Sequence, residues 1–156
     1  MAFLLVLHSM GKVLAIDYGL KRTGLAISDD TKTFAFGLTT VPTQTLHQFI
    51  TDYCAIHPID GFVVGIPRRL NNLPSQSIPH VEGFIRRLIK LFPEKQVYRV
   101  DERFTSSMAT QSIIDSGVKK KGRQDKNLVD MVSAIIILQS WIESRDITRD
   151  RENEFG

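Results

Sequence analysis

The sequence predicts an α/β fold in which a mixed five-stranded sheet lies between layers of helices. Two apolar runs joined by a short glycine-bearing turn predict an antiparallel strand pair near the start of the chain. A continuous apolar run at residues 61–66 predicts a strand buried on both faces, as parallel strands usually are. Apolar residues at helical spacing on both sides of that run predict the helices that cover the sheet.

The first three strands are predicted to form an antiparallel meander. Residues 13–16 and 25–28 are apolar and flank the turn at 18–24, which predicts a hairpin. Large apolar side chains then alternate with small ones from residue 33 to 41. This alternation indicates a third strand, which Pro42 ends.

Helices and strands alternate in the middle of the chain. Apolar residues recur at helical spacing from 46 to 54, after Thr43 or Thr45 as an N-cap, and again from 81 to 92. The strand at 61–66 falls between these two helices and is expected to run parallel to the first strand. Residues 96–100 are predicted to form the fifth strand.

Two further helices are predicted towards the end of the chain. Thr105 can cap a helix over residues 106–116, and Gly117 suits the position after its end. Residues 128–142 are apolar almost all round, which predicts a buried helix too short to cross a membrane. Residues 145–156 alternate in charge without an apolar period and are expected to be a frayed, flexible tail.

Length and composition favour a single domain over residues 1–156, with 42% hydrophobic residues and a formal net charge of +3. Cys54 is the only cysteine, which excludes an internal disulfide and a cysteine zinc site and fits the cytoplasm. The apolar segment 2–7 is too short for a signal peptide or a membrane span. If Met10 is the native start, residues 1–9 are an upstream extension; otherwise they lengthen the first strand.

Three acidic residues are predicted to converge at one end of the sheet. Asp17 ends the first strand, Glu102 closes the fifth, and Asp130 begins the last helix. Sites in such folds form beyond the carboxyl ends of parallel strands. Two carboxylates about 4 Å apart repel by about 4 kcal/mol at an effective dielectric constant near 20, so such a cluster takes up protons or binds a hard cation. Oxygen ligands alone select Mg²⁺ or Mn²⁺.

Each acid also has a structural interpretation. Asp17 can be a turn former at the mouth of the hairpin. With Asn127 as N-cap, Asp130 would be the third helical residue, where an acid complements the cap and the helix dipole. Asp101 and Glu102 point to opposite faces of their strand, so only one of them can face Asp17. We favour Glu102, and the sequence leaves that choice open.

The predicted order of elements is that of ribonuclease H-like folds. Four motifs resemble the YqgF/RuvX family of Holliday junction resolvases and pre-16S ribosomal RNA nucleases: IDYGLKRTG at 16–24, VVGIP at 63–67, DERFT at 101–105, and Val129 and Asp130 leading into the apolar residues of 134–139. The resemblance covers residues 12–141 and implies that Asp17, Glu102 and Asp130 are metal-binding catalytic acids. One departure is the loop 68–72, where the family usually carries a glycine-containing turn.

Basic residues are placed where they could contact the phosphates of a nucleic acid. The candidates lie beside the acids or in the basic loop 119–126, for which a solvated loop is an equally good interpretation. They are Lys21, Arg22, Arg68, Arg69, Arg103, Thr105, Lys119, Lys120, Lys121, Arg123 and Lys126. Few aromatic residues accompany them, so recognition is expected to follow backbone and shape.

These features predict a Mg²⁺- or Mn²⁺-dependent endonuclease, which the resemblance suggests acts on pre-ribosomal RNA or a ribosomal precursor particle. Four-way DNA is the alternative substrate. A second hypothesis is a binding module without catalysis, whose acids only form caps and turns. An actin-like ATPase is disfavoured, because 156 residues hold one of the two domains that it needs. We expect a monomer or weak homodimer with no membrane partner.

Overall fold

The computed structural model describes residues 11–67, 78–102 and 125–155, with side chains described as far as Arg145 in the last range. Its strands are β1 (Lys12–Asp17), β2 (Arg22–Ser28), β3 (Ala35–Pro42), β4 (Ile59–Ile66) and β5 (Gln96–Asp101). Its helices are α1 (Leu46–Ile56), α2 (Ile78–Leu91) and α3 (Lys126–Phe155), with a short 3-10 turn (Thr43–Thr45) before α1. The helix predicted at 106–116 lies outside the described residues.

The five strands form one mixed sheet in the order β3-β2-β1-β4-β5. β1 pairs antiparallel with β2, and β2 pairs antiparallel with β3. β4 runs parallel to both β1 and β5. This confirms the predicted meander followed by parallel strands. The carboxyl ends of β1, β4 and β5 therefore meet at one edge of the sheet.

The two faces of the sheet bury different sets of side chains. On one face, large residues such as Leu14, Phe62 and Val64 pack against α1 and α2. On the other face, smaller residues lie under α3, among them Ala15, Ala26 and Val63. Small side chains let a helix approach a sheet closely, and α3 is consequently in contact with all three strands of the meander, β1, β2 and β3.

The start of α3 differs from the prediction. The helix begins at Lys126, and the side chain of Asp125 accepts a hydrogen bond from the Asn127 backbone N–H at 3.0 Å. Asp125 is therefore the N-capping residue, because its carboxylate satisfies a backbone N–H that has no helical partner. Asp130 is the fifth helical residue and lies too far along the helix for the capping role proposed with Asn127.

The end of α3 lies beyond the apolar segment 128–142, because the helix continues to Phe155; the flexibility predicted for residues 145–156 stays a prediction. Arginine and glutamate are good helix formers, so a segment of alternating charge can form a helix without an apolar period. Thr45 does occupy the N-cap position of α1 but makes no capping hydrogen bond; its hydroxyl donates to the Pro42 carbonyl at 2.8 Å. Within the ranges described, no helix is long and apolar enough to cross a membrane.

Candidate active site

Asp17 and Glu102 meet at the carboxyl edge of the parallel strands. Asp17 is the last residue of β1, and Glu102 directly follows β5. The Glu102 backbone N–H donates to the Ile66 carbonyl at 3.1 Å, which extends the β4–β5 ladder by one residue and holds Glu102 at the edge. The two carboxyl groups are hydrogen-bonded to each other. The structure thus brings Glu102 to Asp17, whereas the exposed Asp101 faces away.

The environment of this pair favours protonation. Burial is the main cause that raises the pKa of both Asp17 and Glu102. Repulsion by Asp130 raises the pKa of Asp17 further, whereas its hydrogen bond with Glu102 lowers it. Repulsion by Asp17 and Asp101, together with that hydrogen bond, raises the pKa of Glu102. Two acids can share a hydrogen bond only when one of them carries a proton. The pair therefore holds a proton near neutral pH when no cation compensates its charge.

Asp130 approaches the pair from α3. Its negative charge contributes to the raised pKa of Asp17. Its Oδ2 accepts a hydrogen bond from Arg22 Nε at 2.9 Å, with side-chain exposures of 24% for Asp130 and 36% for Arg22. Ion pairs this exposed contribute about 0–1 kcal/mol, so Asp130 can exchange its arginine partner at little cost.

Gly24 allows α3 to reach the site. It lies opposite Asp17 in the β1–β2 ladder, inside β2 and not in the turn where the sequence placed it. A Cβ atom at this position would lie 2.0 Å from the Asp130 carbonyl oxygen. Only glycine therefore permits the α3 backbone to pass over β2 at Asp130. A glycine within a strand is itself a sign of such a close backbone approach, and sequence analysis overlooked it.

The turn after Asp17 is fixed from both sides. Thr43 Oγ1 donates to the Gly19 carbonyl at 2.6 Å and lies 3.0 Å from the Thr23 hydroxyl. Beneath the turn, the Tyr18 ring stacks on Phe84 of α2 with ring centroids 4.9 Å apart. The conformation of the chain beside Asp17 is thus held by side chains of β2, the 3-10 turn and α2; sequence analysis considered Thr43 only as an N-cap and gave none of these side chains a role at the site.

The predicted phosphate contacts divide into two sets. Lys21, in the turn beside Asp17, and Lys126, at the start of α3, are exposed. Arg22 is paired with Asp130 and does not present its whole guanidinium to solvent. The remaining candidates lie outside the described residues: Arg68, Arg69, Arg103, Thr105, Lys119, Lys120, Lys121 and Arg123.

The acids suit a hard divalent cation. In the part of the chain that the structure describes, no three acidic, histidine or cysteine side chains are already arranged to hold a metal ion. Asp17 and Glu102 nevertheless form a partly buried pair of oxygen ligands. Asp130 lies near Asp17 and is held only by a weak ion pair with Arg22. Buried carboxylates that repel one another are stabilised when a cation replaces their shared proton. The donor set therefore fits Mg²⁺ or Mn²⁺.

A cavity of about 830 Å³ lies away from these acids, at the opposite end of the strands. Lys32, Lys95 and Arg145 line it together with Asp30, Asp60 and Glu94, so its formal charges balance. Lys32 Nζ pairs with Asp60 Oδ2 at 2.8 Å, and Arg145 lies over the Trp141 ring. These contacts stabilise the fold there, and none of the predicted site residues lines this cavity.

The raised pKa values make the stability of the metal-free protein depend on pH. Because the native state holds protons that the unfolded state releases above about pH 4, stability should fall as the pH rises from 5 to 9. We expect Asp17→Asn to flatten this dependence. The difference between the two proteins cancels other groups, such as His47, whose pKa is lowered chiefly by burial.

Thermal unfolding followed by circular dichroism in EDTA measures this dependence. A wild-type melting temperature that falls with pH more steeply than that of the variant is the expected result. Parallel pH profiles for the two proteins would show that the buried pair holds no proton.

Comparison with known proteins places most of the chain in one family. Residues 11–144 match the family model described as "RuvX: Holliday junction resolvase". A protein of Christiangramia forsetii is 52% identical over 133 residues, covering 85% of this chain and 98% of the relative. One of Porphyromonas gingivalis is 50% identical, covering 88% and 99%. Both carry the name "Putative pre-16S rRNA nuclease".

Proposed function

The chain belongs to the RuvX family, and from this premise we propose that it is a metal-dependent endonuclease that cleaves phosphodiester bonds of structured nucleic acid, namely the 5′ end of pre-16S ribosomal RNA. The observation that carries the proposal is the partly buried Asp17–Glu102 pair, with Asp130 beside it, at the carboxyl edge of the sheet. Among the residues that the structure describes, no basic side chain pairs with either acid of this pair. Partly buried acids held in this way cost stability, which indicates a role in chemistry.

In this proposal, Asp17, Glu102 and Asp130 hold Mg²⁺ or Mn²⁺ through their carboxylate oxygens. The chemistry that a pair of such ions supplies is activation of the attacking water and stabilisation of the leaving 3′ oxygen. The three acidic residues would hold the ions in place and supply the negative charge that binds them. Asp17 and Glu102 are fixed by strand ends, while Asp130 comes from a helix packed directly on β2. Arg22, released from Asp130, becomes available to a substrate phosphate.

Substrate binding is proposed to rest on the phosphate backbone. Lys21 and Lys126 are exposed basic residues, and Lys21 lies in the turn that Asp17 opens. Contacts of this kind position a nucleic acid without reading its bases. The shape of the RNA, as a ribosomal precursor particle presents it, would then select the cleavage site. Such a substrate places the protein in the cytoplasm. Four-way DNA is the second candidate, which the description of the matching family favours.

A cleavage assay with two neighbouring acids tests this function. The wild type should cut pre-16S ribosomal RNA in Mg²⁺ or Mn²⁺ and not in EDTA. Glu102→Gln should lose at least about 100-fold in rate, because it removes a charged ligand from the site. Asp101→Asn is the matched control, since Asp101 is the adjacent acid and is exposed. Cleavage of four-way DNA alone would favour the second candidate, and equal loss in both variants would contradict the assignment of Glu102.

A further inference from the structure

The residue across from Asp17 on its parallel neighbour is Gly65. Ile16 of β1 is level with Val64 of β4, so the next residues along these strands are Asp17 and Gly65. On its other side, Gly65 is level with Val100 of β5, two residues before Glu102. Since side chains alternate along a strand, Gly65, Asp17 and Glu102 belong to the same face of the sheet, the one that α3 covers.

The space above Gly65 is filled by two other side chains. A Cβ atom there would lie 2.6 Å from Glu102 Oε2 and 2.5 Å from Ile137 Cδ1 of α3. Real carbon atoms do not approach this closely, so any side chain at position 65 would displace one or both neighbours. The Glu102 carboxyl group rests directly on the glycine, in the place that a side chain would take.

The backbone itself does not call for glycine at this position. Gly65 lies within β4, paired on both sides, and its φ is outside the left-handed region. Glycine in the interior of a strand costs stability, because it contributes no side chain to packing and loses more conformational freedom on folding. The gain must therefore lie in the space that it leaves for its neighbours.

From these contacts we propose that Gly65 is a positioning residue, whose missing side chain seats the Glu102 carboxyl group against Asp17. The proposal deepens the function proposed above and rests on it. Because Ile137 occupies the other half of the same space, a substitution at position 65 has two separable effects. Contact with Ile137 disturbs the core, whereas contact with Glu102 disturbs the acid pair.

Two variants separate these effects. Gly65→Ala adds the methyl group, which would lie closest to Ile137 Cδ1 and to two atoms of the Glu102 carboxyl group. The Gly65→Ala, Ile137→Val double variant removes Ile137 Cδ1 and leaves the close contacts with Glu102. Ile137→Val alone is the matched control. We expect the double variant to be more stable than Gly65→Ala. We also expect it to bind Mn²⁺ at least about 10-fold more weakly than Ile137→Val, which is the typical loss when a residue that orients a metal ligand is changed. If Ile137→Val binds Mn²⁺ and the double variant binds it equally well, the proposal is overturned.

A metal-free crystal structure of the double variant keeps this inference distinct from the proposed function. The expected structure shows the Glu102 carboxyl group displaced and its hydrogen bond to Asp17 broken, whether or not any protein binds Mn²⁺. If the wild type binds no Mn²⁺ but Glu102 is displaced, the metal site fails and the positioning role of Gly65 stands. If Glu102 keeps its hydrogen bond to Asp17 in the variant, the positioning role is wrong.

Discussion

Asp17→Asn should reduce the rate of metal-dependent cleavage by about 10³-fold or more. A ligated metal ion supplies several kcal/mol of charge stabilisation in the transition state, and about 4 kcal/mol corresponds to three powers of ten in rate. Asparagine has the same shape as aspartate but no charge, so it weakens the binding of the cation that the mechanism requires. Single-turnover cleavage of pre-16S ribosomal RNA by both proteins, at one Mg²⁺ concentration that just supports full wild-type activity, measures this rate.

The same substitution should not weaken the fold. Asp17 is a partly buried acid whose pKa is raised chiefly by desolvation, and the charge of Asp130 repels its carboxylate. An amide at this position avoids that cost, and its Oδ1 can still accept a hydrogen bond from the protonated Glu102 carboxyl group. We therefore expect the melting temperature of Asp17→Asn in EDTA at pH 8 to equal or exceed that of the wild type. A marked loss of stability would indicate that Asp17 serves the fold, as in the non-catalytic hypothesis.

Gly24→Ala should destabilise the protein by about 3 kcal/mol or more, the upper range for overpacked cores. The added Cβ would lie 2.0 Å from the Asp130 carbonyl oxygen and 3.0 Å from the Met131 backbone nitrogen. Both neighbours are backbone atoms of α3, so relief requires the whole helix to move away from β2. Denaturant unfolding followed by circular dichroism gives the free energy of unfolding of both proteins.

Gly83→Ala is the control for this substitution. Gly83 lies within α2, and the nearest atom to an added Cβ is Arg86 Nη2 at 3.8 Å. Alanine is favoured over glycine in a helix interior by about 0.5–1 kcal/mol, so this variant should be slightly more stable than the wild type. If Gly24→Ala loses less than about 1 kcal/mol, which is the typical effect of any point mutation, the close approach of α3 does not limit stability.

Sequence patterns predicted the sheet well because its strands differ in their surroundings. The meander shows alternating or bounded apolar runs, and β4 shows the continuous run of a strand buried on both faces. Strand order then follows from short antiparallel connections and helical crossovers. The length of α3 was missed because its charged end lacks an apolar period, although its arginines and glutamates favour a helix.

The site was predictable only in part. Asp17 and Glu102 lie at the ends of recognisable strands, so their meeting follows from the parallel arrangement. The contact between Arg22 and Asp130 joins residues far apart in sequence and depends on how α3 crosses β2. Gly24 permits that crossing, and in our proposal Gly65 leaves the space that the Glu102 carboxyl group occupies. Both effects depend on the lack of a side chain, and the periodicity of apolar residues does not reveal them.

The central claim is that Asp17, Glu102 and Asp130 together bind a divalent cation. Electron paramagnetic resonance of Mn²⁺ added to the wild type, Asp17→Asn and Asp101→Asn measures this binding directly and needs no substrate. Bound Mn²⁺ in the wild type and in Asp101→Asn, with most of it lost in Asp17→Asn, is the expected result. Equal binding by all three proteins, or by none of them, would contradict it.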